Sequence, residues 1–169
     1  GQLLVAHGDT ITVRYIDADD GQGHQNVPVT TTAAVDCVAP VIGSPHDQGT
    51  TDTKTTIAWT TDETSTSVLT WGPIVPPAAT ALGSSATTSH QVALNGLNAC
   101  TTYWYAVHST DTAGNTATAD NGGAFYHFET LGNFGNGLQS CHAGRVHIDR
   151  PTYDCADSVT FNVSDIDLN

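Results

Sequence analysis

Methionine is absent from this chain of 169 residues, lysine occurs once, at Lys54, and four Lys and Arg together face 17 Asp and Glu, a formal net charge of −13. So acidic a surface repels phosphate backbones and anionic headgroups, which argues against nucleic acid or a membrane surface as partner. Long apolar runs are missing too. No stretch approaches the roughly 20 residues of a membrane-spanning helix, so membrane insertion is not expected. No charged-then-apolar leader opens the chain, and a secretion signal would lie upstream or have been removed. The chain also lacks a GxSxG nucleophile elbow, HxH or HExxH spacing, a CxxC pair and any Cys/His cluster at zinc spacing. Its eight histidines (His7, His24, His46, His90, His108, His127, His142 and His147) are scattered. Each reads as an exposed or half-buried strand residue rather than a ligand or catalytic base. An enzyme is therefore not expected.

What is present is β-forming. Threonine supplies about one residue in six, and its branched Cβ favours extended backbone while its hydroxyl stays wet. Between 54 and 130 the segments KTTIAWTTDE, SVLTWG, SHQVALNGLNACTTYWYAV and GGAFYHFET alternate as short strands divided by turn residues, the pattern of an antiparallel sandwich. Leu94, Leu97, Tyr103, Tyr105 and Val107 fit an inward-facing strand preceded by a corner, and Trp59 lies in the IAW strand. The four cysteines, Cys37, Cys100, Cys141 and Cys155, suit two disulfides in an acidic β-rich chain, with buried free thiols as the alternative.

These residues resemble a fibronectin type III module, in particular the bacterial variant related to the amino-terminal module of purple acid phosphatases. The resemblance implies an all-β antiparallel sandwich over 38–131 whose corner is tied by a tyrosine hydroxyl. It implies no chemistry, since the catalytic metal-binding domain of that family is not in the chain. It also places Cys100 at the pole where the module releases its last strand, within reach of Cys141. That pairs Cys37 with Cys155, a bond that could run between two copies.

On either side the sequence looks like pieces of another sandwich. Residues 1–37 resemble the closing strands, and 141–169 the opening strands, of immunoglobulin-like repeats in very large bacterial surface proteins; the Gly- and Asn-rich stretch 132–140 reads as a flexible linker. Isolated strand pairs are marginal in water. Two explanations stand: the chain is cut from a longer array, or the strands at 143–149 and 158–165 of one copy complete those at 10–17 and 27–36 of the next.

Ligand-like residues are few. Asp17, Asp19 and Asp20 crowd one turn, and Asp165 and Asp167 alternate near the end of the chain. Hard oxygen donors of this kind suit calcium, with a solvated acidic turn as the plainer reading. Asp111 sits in DTAGN, where turn geometry is sufficient explanation and a metal role is the lesser alternative; HGDT at 7–10 reads as a turn, and the sequon at Asn162 falls within an expected strand. The expected function is a non-enzymatic structural protein of an extracellular surface array or filament, whose partner is itself. The competing expectation is a ligand- or carbohydrate-binding accessory module of a secreted enzyme, which would need exposed aromatics among Trp71, Trp104, Tyr126 and Phe134.

Overall fold

A computed structural model describes residues 2–133, 137–142 and 144–164 of the chain. Among these residues every regular element is a strand: β1 (Thr10–Asp19), β2 (Gln25–Ala34), β3 (Ile42–Gln48), β4 (Lys54–Ser65), β5 (Val68–Gly72), β6 (Ala79–Leu82), β7 (Thr87–Asn95), β8 (Thr102–Thr110), β9 (Thr116–Ala119), β10 (Tyr126–Glu129), β11 (Gly132–Asn133), β12 (Leu138–Gln139), β13 (Arg145–Ile148) and β14 (Phe161–Ser164). The protein is all-β, and every pairing is antiparallel.

The centre is a sandwich of two sheets, β3-β4-β7 facing β10-β8-β5-β6, with β9 also on β8. β5 occupies one edge of β8, and β9 and β10 take successive stretches of the other, Thr116–Ala119 opposite Val107–Thr110 and Tyr126–Glu129 opposite Thr102–Tyr105. They are two halves of one closing strand, parted by a loop in which Asn121, Gly122, Gly123 and Phe125 take positive φ. Three strands against four, counted this way, is the fibronectin type III arrangement.

Period-two alternation fills the space between the sheets. Ile57 and Trp59 of β4, Val92 and Leu94 of β7, Tyr103, Tyr105 and Val107 of β8, with Leu69, Leu97 and Phe128, form one buried cluster. Trp59 is 1% exposed, and its indole N–H donates to Ser109 Oγ on the facing sheet at 3.0 Å. The Tyr103 hydroxyl accepts the Asn98 N–H at 3.0 Å and so ties the corner between β7 and β8. Burial pushes the Tyr105 phenol well above its ordinary pKa, helped by the charge of Asp47 and by Tyr126, so it stays neutral. Trp71 packs beside Tyr103 at 5.7 Å and Tyr126 stacks on Tyr105 at 5.5 Å. Both belong to the core's margin, and Trp104 is half-buried. The row of free aromatics that a carbohydrate module would need does not form among the described residues; Phe134 lies outside them.

One expectation changes here. His90 is not exposed or half-buried: it is completely buried, because its position in β7 points inward and its ring lies flat against Trp59, centroids 5.0 Å apart. Within the stretch 132–140 β11 pairs β12, and just beyond it a disulfide joins Cys100 to Cys141, Cα atoms 5.5 Å apart. The fully buried Thr130 closes the same corner, donating to the Asn98 carbonyl at 2.6 Å.

The flanks are two separate hairpins. In β1–β2 the register Ile11↔Ala33, Val13↔Thr31, Tyr15↔Val29 and Asp17↔Val27 gathers most of the apolar side chains on one face, while Thr12, Arg14, Thr30 and Thr32 lie on the other together with Ile16 and Pro28. In β13–β14, Val146↔Val163 and Ile148↔Phe161 share a face opposite His147 and Asn162. Neither apolar face is covered: Val13 and Tyr15 are 58% and 60% exposed, Val146 and Phe161 70% and 64%. No pairing links the two hairpins among the described residues.

Replacing Trp59 by alanine removes the central core side chain and its link between sheets. Chemical denaturation should register a loss of about 3–5 kcal/mol.

Candidate functional site

The acidic turn between β1 and β2 spends its carboxylates on its own backbone. Asp17 Oδ1 accepts the Asp19 N–H, Asp19 Oδ1 the Gly21 N–H, and Asp20 Oδ1 the N–H groups of Gln22 and His24. The second oxygen of Asp20 meets His24 Nδ1 at 2.8 Å. The Gln22 amide leads in holding the Asp20 carboxyl below its ordinary pKa, with the His24 side chain next. These are Asx-type turns, in which the short side chain stands in for a backbone acceptor. Asp17, Asp19 and Asp20 do not converge on a shared point; Asp165 and Asp167 lie outside the described residues.

The group that does converge is Asp36, Glu63 and Asp111, whose ligand atoms all lie within 4.8 Å of one another. Asp36 follows β2, Glu63 belongs to the outer end of β4, and Asp111 follows β8, so the cluster sits where the amino-terminal hairpin meets the sandwich. Asn115 fastens that joint, its amide donating to the Asp36 carbonyl at 3.2 Å and to Asp111 Oδ2 at 2.8 Å. On the flanks of the cluster, His7 Nδ1 lies 3.0 Å from Asp36 Oδ1 and the Val41 N–H donates to Asp62 Oδ1 at 2.7 Å.

The three carboxyls are not equivalent. Asp111 is buried, and its Oδ1 accepts the N–H groups of Ala113, Gly114 and Asn115 at 2.7–2.9 Å. Desolvation pushes its pKa up, but the Asn115 side chain and these three amides together outweigh it and hold the carboxyl below its ordinary value. Glu63 goes the other way. Desolvation first, then the charges of Asp36, Asp111 and Asp62, raise its pKa, with His7 opposing. Three hard oxygen donors of this kind match a cation such as calcium better than a soft metal. A shallow cleft beside them is lined by Thr64, Ser65, Thr66, Thr110, Asp111 and Thr112 among others.

Sequence reasoning singled out Asp111 as a turn residue, with a metal role as the lesser alternative, and passed over Asp36 and Glu63. Nothing in linear order marks them, because the three acids meet only through the sandwich topology. Of the four cysteines, Cys100 and Cys141 are bonded; Cys37, which follows β2, and Cys155, in the β13–β14 loop, are exposed free thiols not bonded to each other.

No family model matches the chain, and no curated protein matches it. A solved structure of the purple acid phosphatase PPD1 from yellow lupin (Lupinus luteus) seeds is similar over 75% of this chain and 25% of that one, with 17% identity and a TM-score of 0.44. The chain thus spans about a quarter of that protein's length, and a likeness so distant carries no argument about activity.

Glu63 provides the test of the cluster's electrostatics. Its folded-state pKa is raised above the ordinary 4.5, so its favourable contribution is full below that value and is lost as pH rises through the folded pKa. Glu63→Gln should therefore raise the melting temperature at pH 7, and the gain should vanish as thermal scans are taken down to pH 4.

Proposed function

We propose that the protein is a non-enzymatic structural unit of an extracellular array or filament, and that copies join head to tail through their flanking hairpins. The observation that carries this reading is the pair of amphipathic hairpins. Each has one mainly apolar face and, among the described residues, no strand to cover it, and open faces and edges of this kind aggregate unless they are paired. The two faces are of matching chemistry, Ile11, Val13, Tyr15, Val27 and Val29 on one and Val146, Ile148, Phe161 and Val163 on the other. Face-to-face packing of two twisted ribbons is the ordinary solution for a β-sandwich. Because the hairpins lie on opposite sides of the sandwich in chain order, the contact is heterologous, and heterologous contacts that do not close a ring generate a linear assembly.

The exposed thiols fit the same geometry. Cys37 sits at the root of the first hairpin and Cys155 in the loop of the second, so oxidation across the junction would lock successive copies. A disulfide at Cys100 and Cys141 is in keeping with an oxidising, extracellular setting, and no described helix is long and apolar enough to cross a membrane. In a longer array the neighbouring repeat would supply the same complementary hairpin.

A chain ending at His142 keeps the Cys100–Cys141 bond but loses β13 and β14. Sedimentation velocity and negative-stain microscopy should show the full chain as linear oligomers and the shortened chain as a folded monomer. Oligomers from the shortened chain, or a full chain that stays monomeric at all concentrations, would sink the proposal. Under oxidising conditions, non-reducing peptide mapping of the oligomers should recover Cys37 joined to Cys155.

A further inference from the structure

His90 is a fully buried imidazole placed between two loops, and the hydrogen bonds around it can be counted proton by proton. Ser67 Oγ lies 2.5 Å from the Ser84 carbonyl and 2.7 Å from His90 Nδ1. Thr61 Oγ1 lies 2.6 Å from the Glu63 carbonyl and 2.8 Å from His90 Nε2. Each of these four contacts needs one proton between its heavy atoms. Carbonyl oxygens cannot donate, so each hydroxyl gives its single proton to its carbonyl and presents only lone pairs to the ring. Both ring nitrogens must then donate, which only the imidazolium can do.

We propose that His90 is a proton switch at this pole of the sandwich: its doubly protonated ring completes an unbroken hydrogen-bond chain from the Ser84 carbonyl to the Glu63 carbonyl, and its neutral ring leaves that chain one proton short. The gap falls at a defined place. Ser67 holds the shortest bond, so the neutral ring keeps Nδ1–H towards it. Nε2 then becomes an acceptor, and the Thr61 hydroxyl turns its proton from the Glu63 carbonyl to the ring. Ser65 Oγ, 3.4 Å from Nε2 and 3.2 Å from Thr61 Oγ1, is the auxiliary donor for that state. Proton uptake thus fastens the outer end of β4 to the loop before β7, and proton loss frees the Glu63 carbonyl.

The surroundings set the pH range. From β4 the ring meets the Trp59 indole, parallel to within 9° and able to favour a cation on its face, together with the hydroxyls of Thr61 and Ser65. Ser67 and Ser84 face it from the two loops, and Ser109 of β8 holds the Trp59 indole on which it stacks. No described carboxylate or basic side chain hydrogen-bonds or ion-pairs with it. The nearest acids along β4 are turned to other partners, Asp62 to Val41 and Glu63 to the cluster with Asp36 and Asp111. Burial lowers the pKa of His90 below its ordinary 6.5, which moves the switch below that pH. The unfolded chain takes up its proton first, so stability declines as pH falls from 6.5 and levels off below the folded-state pKa.

Long-range nitrogen–proton NMR correlations of the histidine rings in the full chain test this directly. At pH 7.5 His90 should be the Nδ1–H tautomer; on acidification it should become doubly protonated while the sandwich remains folded, with the Glu63 carbonyl carbon shift following the same curve. Thr61→Val removes one acceptor of the cation and should lower the His90 pKa by about one unit, whereas Thr61→Ser keeps the hydroxyl and should restore it. A ring that stays neutral until the protein unfolds, an Nε2–H tautomer at neutral pH, or an unshifted titration in Thr61→Val would each overturn the switch. Should Thr61→Val not fold, the wild-type tautomer and titration decide the matter alone.

Discussion

Trp59 joins the two sheets by both of its chemistries: its face stacks on His90 within one sheet, and its N–H reaches Ser109 in the other. The remaining polar architecture of that pole depends on this placement. With the indole fixed, the His90 ring has one orientation, and that orientation determines which hydroxyls of Thr61, Ser65 and Ser67 it meets. Those residues bracket the end of β4, where Glu63 is presented to Asp36 and Asp111. A core contact thereby helps to position the charge cluster. Polar groups this deep are tolerable because each finds a partner; unpaired, a buried hydroxyl or imidazole nitrogen costs on the order of 1–3 kcal/mol.

The second organising constraint is the unequal supply of strands. The centre has enough to bury its aromatics, and the Tyr103 hydroxyl, Thr130 and the Cys100–Cys141 bond all act on one corner, so the chain leaves the sandwich from a stapled point. The flanks have two strands each. At the amino-terminal side the joint is polar and acidic, held by Asn115 bridging Asp36 and Asp111; at the carboxy-terminal side it is covalent. The two joints thus differ in kind: one responds to the protonation of carboxyls and the other to redox conditions.

The central sandwich was legible in the sequence because its signals are local. Alternation at Ile57 and Trp59 and at Tyr103, Tyr105 and Val107 reports which face is buried, and the corner tyrosine sits at a fixed offset from Asn98. The hairpins were legible for the same reason. The Asp36, Glu63 and Asp111 cluster was not, since its members belong to three elements that meet only after the sheets pack. His90 was misjudged because a histidine in an alternating strand carries no mark of which face it takes unless its neighbours are counted. Val92 and Leu94 follow it at the same parity, and that was the available signal. The acidic turn drew attention through density of charge, yet crowded aspartates in a tight turn serve their own amides first.

Charge distribution bears on how such copies could meet. A chain of net charge −13 repels its own kind, and at about 0.15 M salt that repulsion is screened over roughly 8 Å. The apolar faces of the hairpins carry little of it: on β1–β2 only Asp17 and Asp19 share the apolar face, at the end next to the turn. The acids of that turn lie at the tip, where they remain hydrated when the rest of the face is covered. Repulsion therefore acts on sideways or tip-to-tip approach more than on face-to-face approach. In the head-to-tail assembly proposed above, such a low-charge route would favour one direction of growth over indiscriminate edge pairing.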